Sequence, residues 1–288
     1  MAYVHPDSLV STEWLAAHLD DPAVRVVDGS FKMPGVAPTA REDYAKRHIV
    51  GAPFFDIDEI ADRSSSLPHM LPKPEEFAAH VSRLGIGDGQ RVVAYDATGW
   101  SMAACRVWWM LRVFGHDDVV VLAGGLAKWS AEGRPVTAEV PRLASTNFTP
   151  RFHPELVRDK EAVRRTIGGH REQIIDARAQ GRFEGTMPEL RPGLRSGHIP
   201  GSRNLPYDQL VDPATKIPLP ADALEQRFRA AGLRPDRPII ASCGSGVSAC
   251  ALAFGLHLIG WPEASVYDGS WTEWGAPGDT PVEPGPAS

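Results

Sequence analysis

Short apolar runs alternate with stretches of helical period along this chain, and the alternation occurs twice. Pro238–Ser242 reads as a buried strand: two β-branched residues, then small ones, then glycine punctuation. The stretch that follows, Ala249–Ile259, is apolar nearly all round, the pattern of a buried helix. Val92-Val93-Ala94-Tyr95-Asp96 matches Ile239-Ile240-Ala241-Ser242-Cys243, and Val26-Val27-Asp28 recurs as Ile174-Ile175-Asp176. His48-Ile49-Val50-Gly51-Ala52 returns as His198-Ile199-Pro200-Gly201-Ser202, and Gly124 to Trp129 is echoed by Gly269 to Trp274. The offset is about 145 residues throughout, too long for a solenoid repeat and right for a duplicated domain.

Strands alternating with helices predict, in each copy, an α/β unit with a parallel sheet covered by helices on both faces. The expected domains are residues 1–140 and 149–288. Ala138–Phe148, rich in Pro, Thr and Ser with little periodicity, is the expected linker. Ser11 is the expected cap of a first helix reaching Leu19, and Leu156–Ile167 its counterpart in the second copy.

Composition adds exclusions. The chain has 288 residues, 43% hydrophobic and 23% charged, with a net charge of −6. No basic run points to nucleic acid, and no apolar run reaches the length of a membrane span. The first residues lack the basic and apolar regions of a signal peptide, so the expected location is cytoplasmic. The three cysteines, at 105, 243 and 250, form neither a metal spacing nor a disulfide framework, and no metal or cofactor is expected. Cys250 is expected about two turns into its helix, too far from Cys243 for a disulfide.

The chemistry concentrates at Cys243-Gly244-Ser245-Gly246-Val247-Ser248, on a strand-to-helix turn. Glycines let such a turn curl until its N–H groups converge beside a helix terminus, an arrangement that favours a thiolate. The alternative is an ordinary buried cysteine. A phosphate loop fits poorly, because no Lys follows Gly246; a thiol-phosphatase loop fails because Ala249 stands where its Arg would be. The duplication supplies an internal control. Cys105 and Cys250 share the repeat offset and read as helix-core residues, whereas Cys243 aligns with Asp96. An Asp cannot carry sulfur, so the first copy is expected to be silent.

Together, H-I-P-G-S at 198–202, Y-D-G-S-W-T-E-W at 267–274 and the duplication resemble the rhodanese family in its tandem form. C-G-S-G-V-S is similar to the loop of its 3-mercaptopyruvate sulfurtransferases, with Ser248 where Thr is usual. F-F-D-I-D at 54–58, D-R-S-S-S-L-P-H-M-L-P at 62–72 and R-V-W-W-M at 106–110 carry the same likeness. The resemblance implies an enzyme that moves the sulfur of 3-mercaptopyruvate through a Cys243 persulfide to a thiophilic acceptor and releases pyruvate. Thioredoxin, small thiols and cyanide are the acceptors it implies. It implies Arg182 and Arg191 as cations for the donor, with Gly244, Gly246, Val247 and Ser248 as the loop around it. It also implies a relay of Ser245, His69 and Asp58, which would put the site in the cleft between the copies. Arg178, Arg195, His48 and His198 read as structural, and a monomer is expected. A thiosulfate sulfurtransferase on the same fold is the nearest alternative, and a non-catalytic rhodanese-type binding module the other.

Overall fold

The computed structural model describes residues 2–99, 102–169, 171–262 and 264–287. The first unit runs β1 (Leu9–Val10), α1 (Thr12–His18), β2 (Val24–Asp28), α2 (Ala40–Lys46), β3 (His48–Ile49), α3 (Pro74–Arg83), β4 (Arg91–Tyr95), α4 (Met102–Val113), β5 (Val119–Leu122), α5 (Gly125–Ala131) and β6 (Val136–Thr137). The second runs β7 (Val157–Arg158), α6 (Lys160–Arg164), β8 (Gln173–Asp176), α7 (Gln180–Phe183), β9 (Arg203–Asn204), α8 (Ala221–Ala230), β10 (Ile239–Ser242), α9 (Ala249–Leu258), β11 (Ser265–Tyr267) and α10 (Ser270–Trp274). The main sheets are parallel, ordered β1-β5-β4-β2 and β7-β11-β10-β8-β9.

Strand alternation explains why both faces are covered. In the first sheet Val27, Val92, Ala94, Val119 and Val121 pack with α3 and α4, while Val26, Val93, Tyr95, Val120 and Leu122 pack with α1 and α5. In the second sheet Ile175, Ala241 and Val266 share a core with α8 and α9, and Ile174, Ile240 and Tyr267 share one with α6 and α10. Helices α4 and α9 also pack on each other, with Trp108 edge-on to Phe254 at 5.1 Å. Each lies between its own sheet and its counterpart, which is why both are apolar nearly all round. One core therefore runs through both units and holds the cleft between them to a defined shape.

Two expectations are corrected. The stretch Leu156–Ile167 is not one helix. Pro154–Leu156 is a single 3-10 turn, Val157–Arg158 is an edge strand, and α6 begins only after Asp159, whose side chain caps it by accepting from the Ala162 N–H at 2.7 Å. Cys250 is not two turns into its helix but the second residue of α9, since the loop before it is not helical. The stretch Ala138–Phe148 runs along the first unit: Phe148 packs edge-on to Phe77, and the Thr146 hydroxyl donates to Ile86 O at 2.6 Å. No helix among the described residues is long and apolar enough to cross a membrane.

The contact between the units sets a pH response. His257 on α9 meets Ser8 Oγ at 3.0 Å through Nε2 and stacks on His5 at 4.4 Å. Burial, aided by Arg112 and His5, pushes its pKa down from 6.5 to about 3. Between those values the unfolded chain binds a proton at this site that the folded chain refuses. The site's full contribution is present above pH 6.5 and is lost as pH falls. His257→Gln should therefore flatten the loss of stability between pH 6 and 4, by up to about 1.4 kcal/mol per pH unit. Urea unfolding at several pH values measures it; an unchanged slope would mean that this histidine does not titrate with folding.

Candidate active site

Cys243 follows β10 directly, at the carboxyl end of the parallel strands where ligands of open α/β sheets bind. It is 1% exposed, as are most residues of a βα turn packed under helices. Its backbone is pinned from the next strand-helix connection. Cys243 N–H donates to Ser270 Oγ at 3.1 Å, Trp271 N–H donates to Cys243 O at 2.9 Å, and both the N–H and the hydroxyl of Thr272 donate to Gly244 O. The Ser270 hydroxyl gives its hydrogen to Tyr267 O at 2.7 Å and lies 4.0 Å from Cys243 Sγ. Ser270 itself has φ +47°, a left-handed conformation unusual for a side-chain-bearing residue.

The N–H groups of Gly244, Ser245, Gly246, Val247 and Ser248 donate to no acceptor among the described residues. Gly246 is required for the curl: its φ is +76°, and a Cβ there would lie 2.6 Å from Asp268 O. Five unpaired amides around a sulfur make a site for a second, negatively charged atom. The equivalent turn of the first unit is filled by its own side chain. Asp96 Oδ1 accepts from Thr98 N–H at 3.1 Å, Gly99 N–H at 2.8 Å and the Thr98 hydroxyl at 2.9 Å. Two amides of that turn are thus taken up by its own carboxylate, whereas the corresponding loop of the second unit has none.

The other two cysteines have different surroundings. Burial pushes the thiols of Cys105 and Cys250 upward, so both stay protonated and unreactive. Cys250 donates its S–H to Gly246 O at 3.2 Å, a structural bond.

A cleft of about 260 Å³ opens over Cys243, lined by Gly244, Ser245, Val247 and Ser248 with Arg182, Arg191, Leu190 and Tyr207 from the second unit. The first unit closes it with Phe31, Met33 and Met102. A larger hollow of about 420 Å³ adjoins it, sharing Phe31 and Met33 and reaching Asp58, but it holds no part of the cysteine loop.

The two arginines differ in what already neutralises them. Arg182 is held by Glu189, with Nε 3.2 Å and Nη2 2.5 Å from Oε2. Glu189 is shared with the fully buried Arg178, which also grips Asp176 and stacks over Trp271. Arg191 pairs with no carboxylate among the described residues; its Nη2 donates to His69 Nε2 at 3.2 Å. Burial pulls its pKa down, with the nearby Cys243 and Asp58 opposing that. A half-buried cation without a counter-charge is a place for an anion.

His69 is buried, has φ +61°, and accepts from Arg191, so its hydrogen sits on Nδ1. Nδ1 lies 2.9 Å from Asp58 Oδ1, off the line of a good hydrogen bond. Asp58 is exposed, and Arg63 Nη1 donates to its backbone carbonyl at 3.3 Å. Thus His69 and Asp58 meet as a pair, but no hydrogen bond among the described residues joins His69 to Ser245, and the three-residue relay is not assembled. His69 Nε2 is occupied by Arg191 Nη2 instead. Arg195 donates to Trp274 O and Thr280 O, and His48 and His198 bond to backbone carbonyls, which are structural tasks.

Sequence reasoning missed several residues of this site. Glu189, which sets the arginines apart, follows from E-L-R-P-G only once Arg178 is known to lie beside it. Phe31, Met33 and Tyr207 carry no local signal. Ser270 and Thr272 lie inside the Y-D-G-S-W-T-E-W stretch, whose hydroxyls could have been asked for partners.

A family model described as the rhodanese-like domain matches residues 11–132 and again 159–277. The mitochondrial thiosulfate/3-mercaptopyruvate sulfurtransferase 1 of Arabidopsis thaliana is 43% identical over 298 residues, covering 96% of this chain and 78% of that one. The thiosulfate sulfurtransferase of Bos taurus is 42% identical over 288 residues and is covered 96% each way. Among solved structures, the 3-mercaptopyruvate sulfurtransferase of Escherichia coli superposes with a TM-score of 0.84 at 38% identity, covering 92% of this chain and 98% of that one.

Proposed function

This chain belongs to the rhodanese-like family, as two domains in tandem, and we propose that within it Cys243 carries the persulfide and 3-mercaptopyruvate is the preferred donor. Its activity is sulfur transfer of the 3-mercaptopyruvate/thiosulfate type through a cysteine persulfide, to a thiol acceptor. The observation that carries the proposal is the cleft itself: beside Cys243, five loop amides with no acceptor among the described residues, and in the same cleft Arg191, which meets no carboxylate among them.

The Cys243 thiolate attacks the donor sulfur. An S–S bond forms, the C–S bond breaks, and its electron pair leaves on carbon as the enolate of pyruvate. A proton then reaches that carbon and pyruvate departs. Arg191 holds the donor carboxylate, and Arg182, close to Gly244, supports the enolate oxygen. The amides of Gly244 to Ser248 stabilise the outer persulfide sulfur. An acceptor thiolate attacks that sulfur, the S–S bond breaks, and Cys243 returns as thiolate. Ser245 sits in the cleft as a proton carrier for the enolate, and His69 with Asp58 can serve it only after His69 leaves Arg191. Reduced thioredoxin is the proposed protein acceptor and the chain is proposed to act as a cytoplasmic monomer.

Thiosulfate is the competing donor. The loop has no cation of its own, and the apolar wall of Phe31, Met33 and Leu190 suits a three-carbon monoanion better than a compact dianion. A donor panel tests this. Mercaptopyruvate should exceed thiosulfate by at least about tenfold in kcat/KM, one charge-assisted contact's worth. Parity or reversal would overturn the donor assignment.

A further inference from the structure

We propose that Arg106, on α4 of the silent unit, is a positioning residue for the catalytic loop. Its guanidinium has no exposure to solvent and stacks over Trp109 at 4.5 Å. Its Nη1 donates to Asp268 Oδ1 at 2.7 Å and to Gly246 O at 3.1 Å, and its Nη2 donates to His69 O. Asp268 in turn accepts the Leu71 N–H on Oδ2 at 2.7 Å. One buried ion pair therefore reaches the cysteine loop of one unit and both sides of His69's loop in the other.

The geometry of a peptide plane makes the consequence specific. The carbonyl of Gly246 and the N–H of Val247 belong to one rigid plane and point opposite ways. Drawing Gly246 O inward, to Arg106 and to the Cys250 thiol, turns Val247 N–H out toward the cleft, where it meets no acceptor among the described residues. Holding His69 O and Leu71 N–H likewise fixes the left-handed turn that sets His69 Nε2 against Arg191. Only a planar fork serves acceptors in three directions; a lysine ammonium at that position can satisfy part of the set. This gives the silent unit a task in the chemistry: it orients an amide of the cradle without touching the donor.

The inference rests on Cys243 as the nucleophile, and its test separates the two. The variants are Arg106→Lys and the double variant Arg106→Met with Asp268→Asn, which leaves no unpaired buried carboxylate. Both are assayed with mercaptopyruvate and with a polysulfide. A cradle amide serves every donor and acts on the transition state. So kcat should fall about 10- to 100-fold with both donors, with KM for the polysulfide, which has no carboxylate for Arg191, within about threefold of the parent. Arg106→Lys should retain more activity than the double variant. A folded variant, judged by circular dichroism and thermal melting, whose kcat stays within about threefold would overturn the inference, as would a loss confined to KM or to one donor. If the double variant does not fold, Arg106→Lys decides alone, because it keeps a charge opposite Asp268. Activity surviving in Cys243→Ser would instead remove the underlying assignment.

Discussion

Cys243→Ser should reduce sulfur transfer to background with every donor. A serine hydroxyl at neutral pH is a poor nucleophile toward sulfur and forms no persulfide, so the first bond of the cycle cannot be made. The fold should survive, since the side chain is nearly isosteric and the loop is pinned by backbone bonds from Trp271 and Thr272. Cys250→Ser keeps a donor for Gly246 O, and Cys105→Ala removes a thiol with no role in the cleft; both should retain activity within a few-fold. Mass spectrometry after exposure to mercaptopyruvate supplies an independent readout. The parent protein should gain one sulfur atom on the peptide containing Cys243, and Cys243→Ser none. Pyruvate release at near-parent rate by Cys243→Ser would sink the assignment, and a parent protein that never gains sulfur would leave only a binding module.

Arg191→Ala should show the next largest effect, and with one class of donor only. Its guanidinium is half-buried and forms no ion pair with a carboxylate among the described residues, so the donor's carboxylate is the partner it lacks. A lost charge-assisted hydrogen bond is worth roughly 1.5–3 kcal/mol, which lowers kcat/KM for mercaptopyruvate about 10- to 150-fold. Because the carboxylate is unchanged by the reaction, the loss should appear mainly in KM. Arg182→Ala should lower kcat as well, since that side chain lies beside Gly244, and should lower kcat/KM less because Glu189 already shares its charge. A polysulfide, which has no carboxylate, should lose little in Arg191→Ala. Equal losses for both donors would make Arg191 a support for the His69 loop.

Alternation of β-branched runs with helical stretches places β10 and the helix after Cys243 correctly, because burial on two faces leaves a recognisable apolar pattern. The edge strand β7 falls where the sequence predicts a helix, because two residues are too few to show a period of two. Arg178 and Arg195 were separable from Arg182 and Arg191 by motif position, yet the motif could not say that Glu189 neutralises one and leaves the other bare.

The duplicated α/β unit, the Asp at the first copy's turn where the second has a thiol, and the glycine-curled turn that carries Cys243 are all legible in the sequence. Those properties are local or periodic: propensity, spacing and φ above zero are written within a few residues. Tertiary structure alone decided which groups share the cleft. It brought Arg106 of one unit to Gly246 of the other, 140 residues away, and turned His69 to Arg191 rather than to Ser245. Such contacts depend on how two cores pack against each other through α4 and α9, and a buried guanidinium chooses among all acceptors within reach, a choice set by distance and desolvation rather than by sequence neighbourhood.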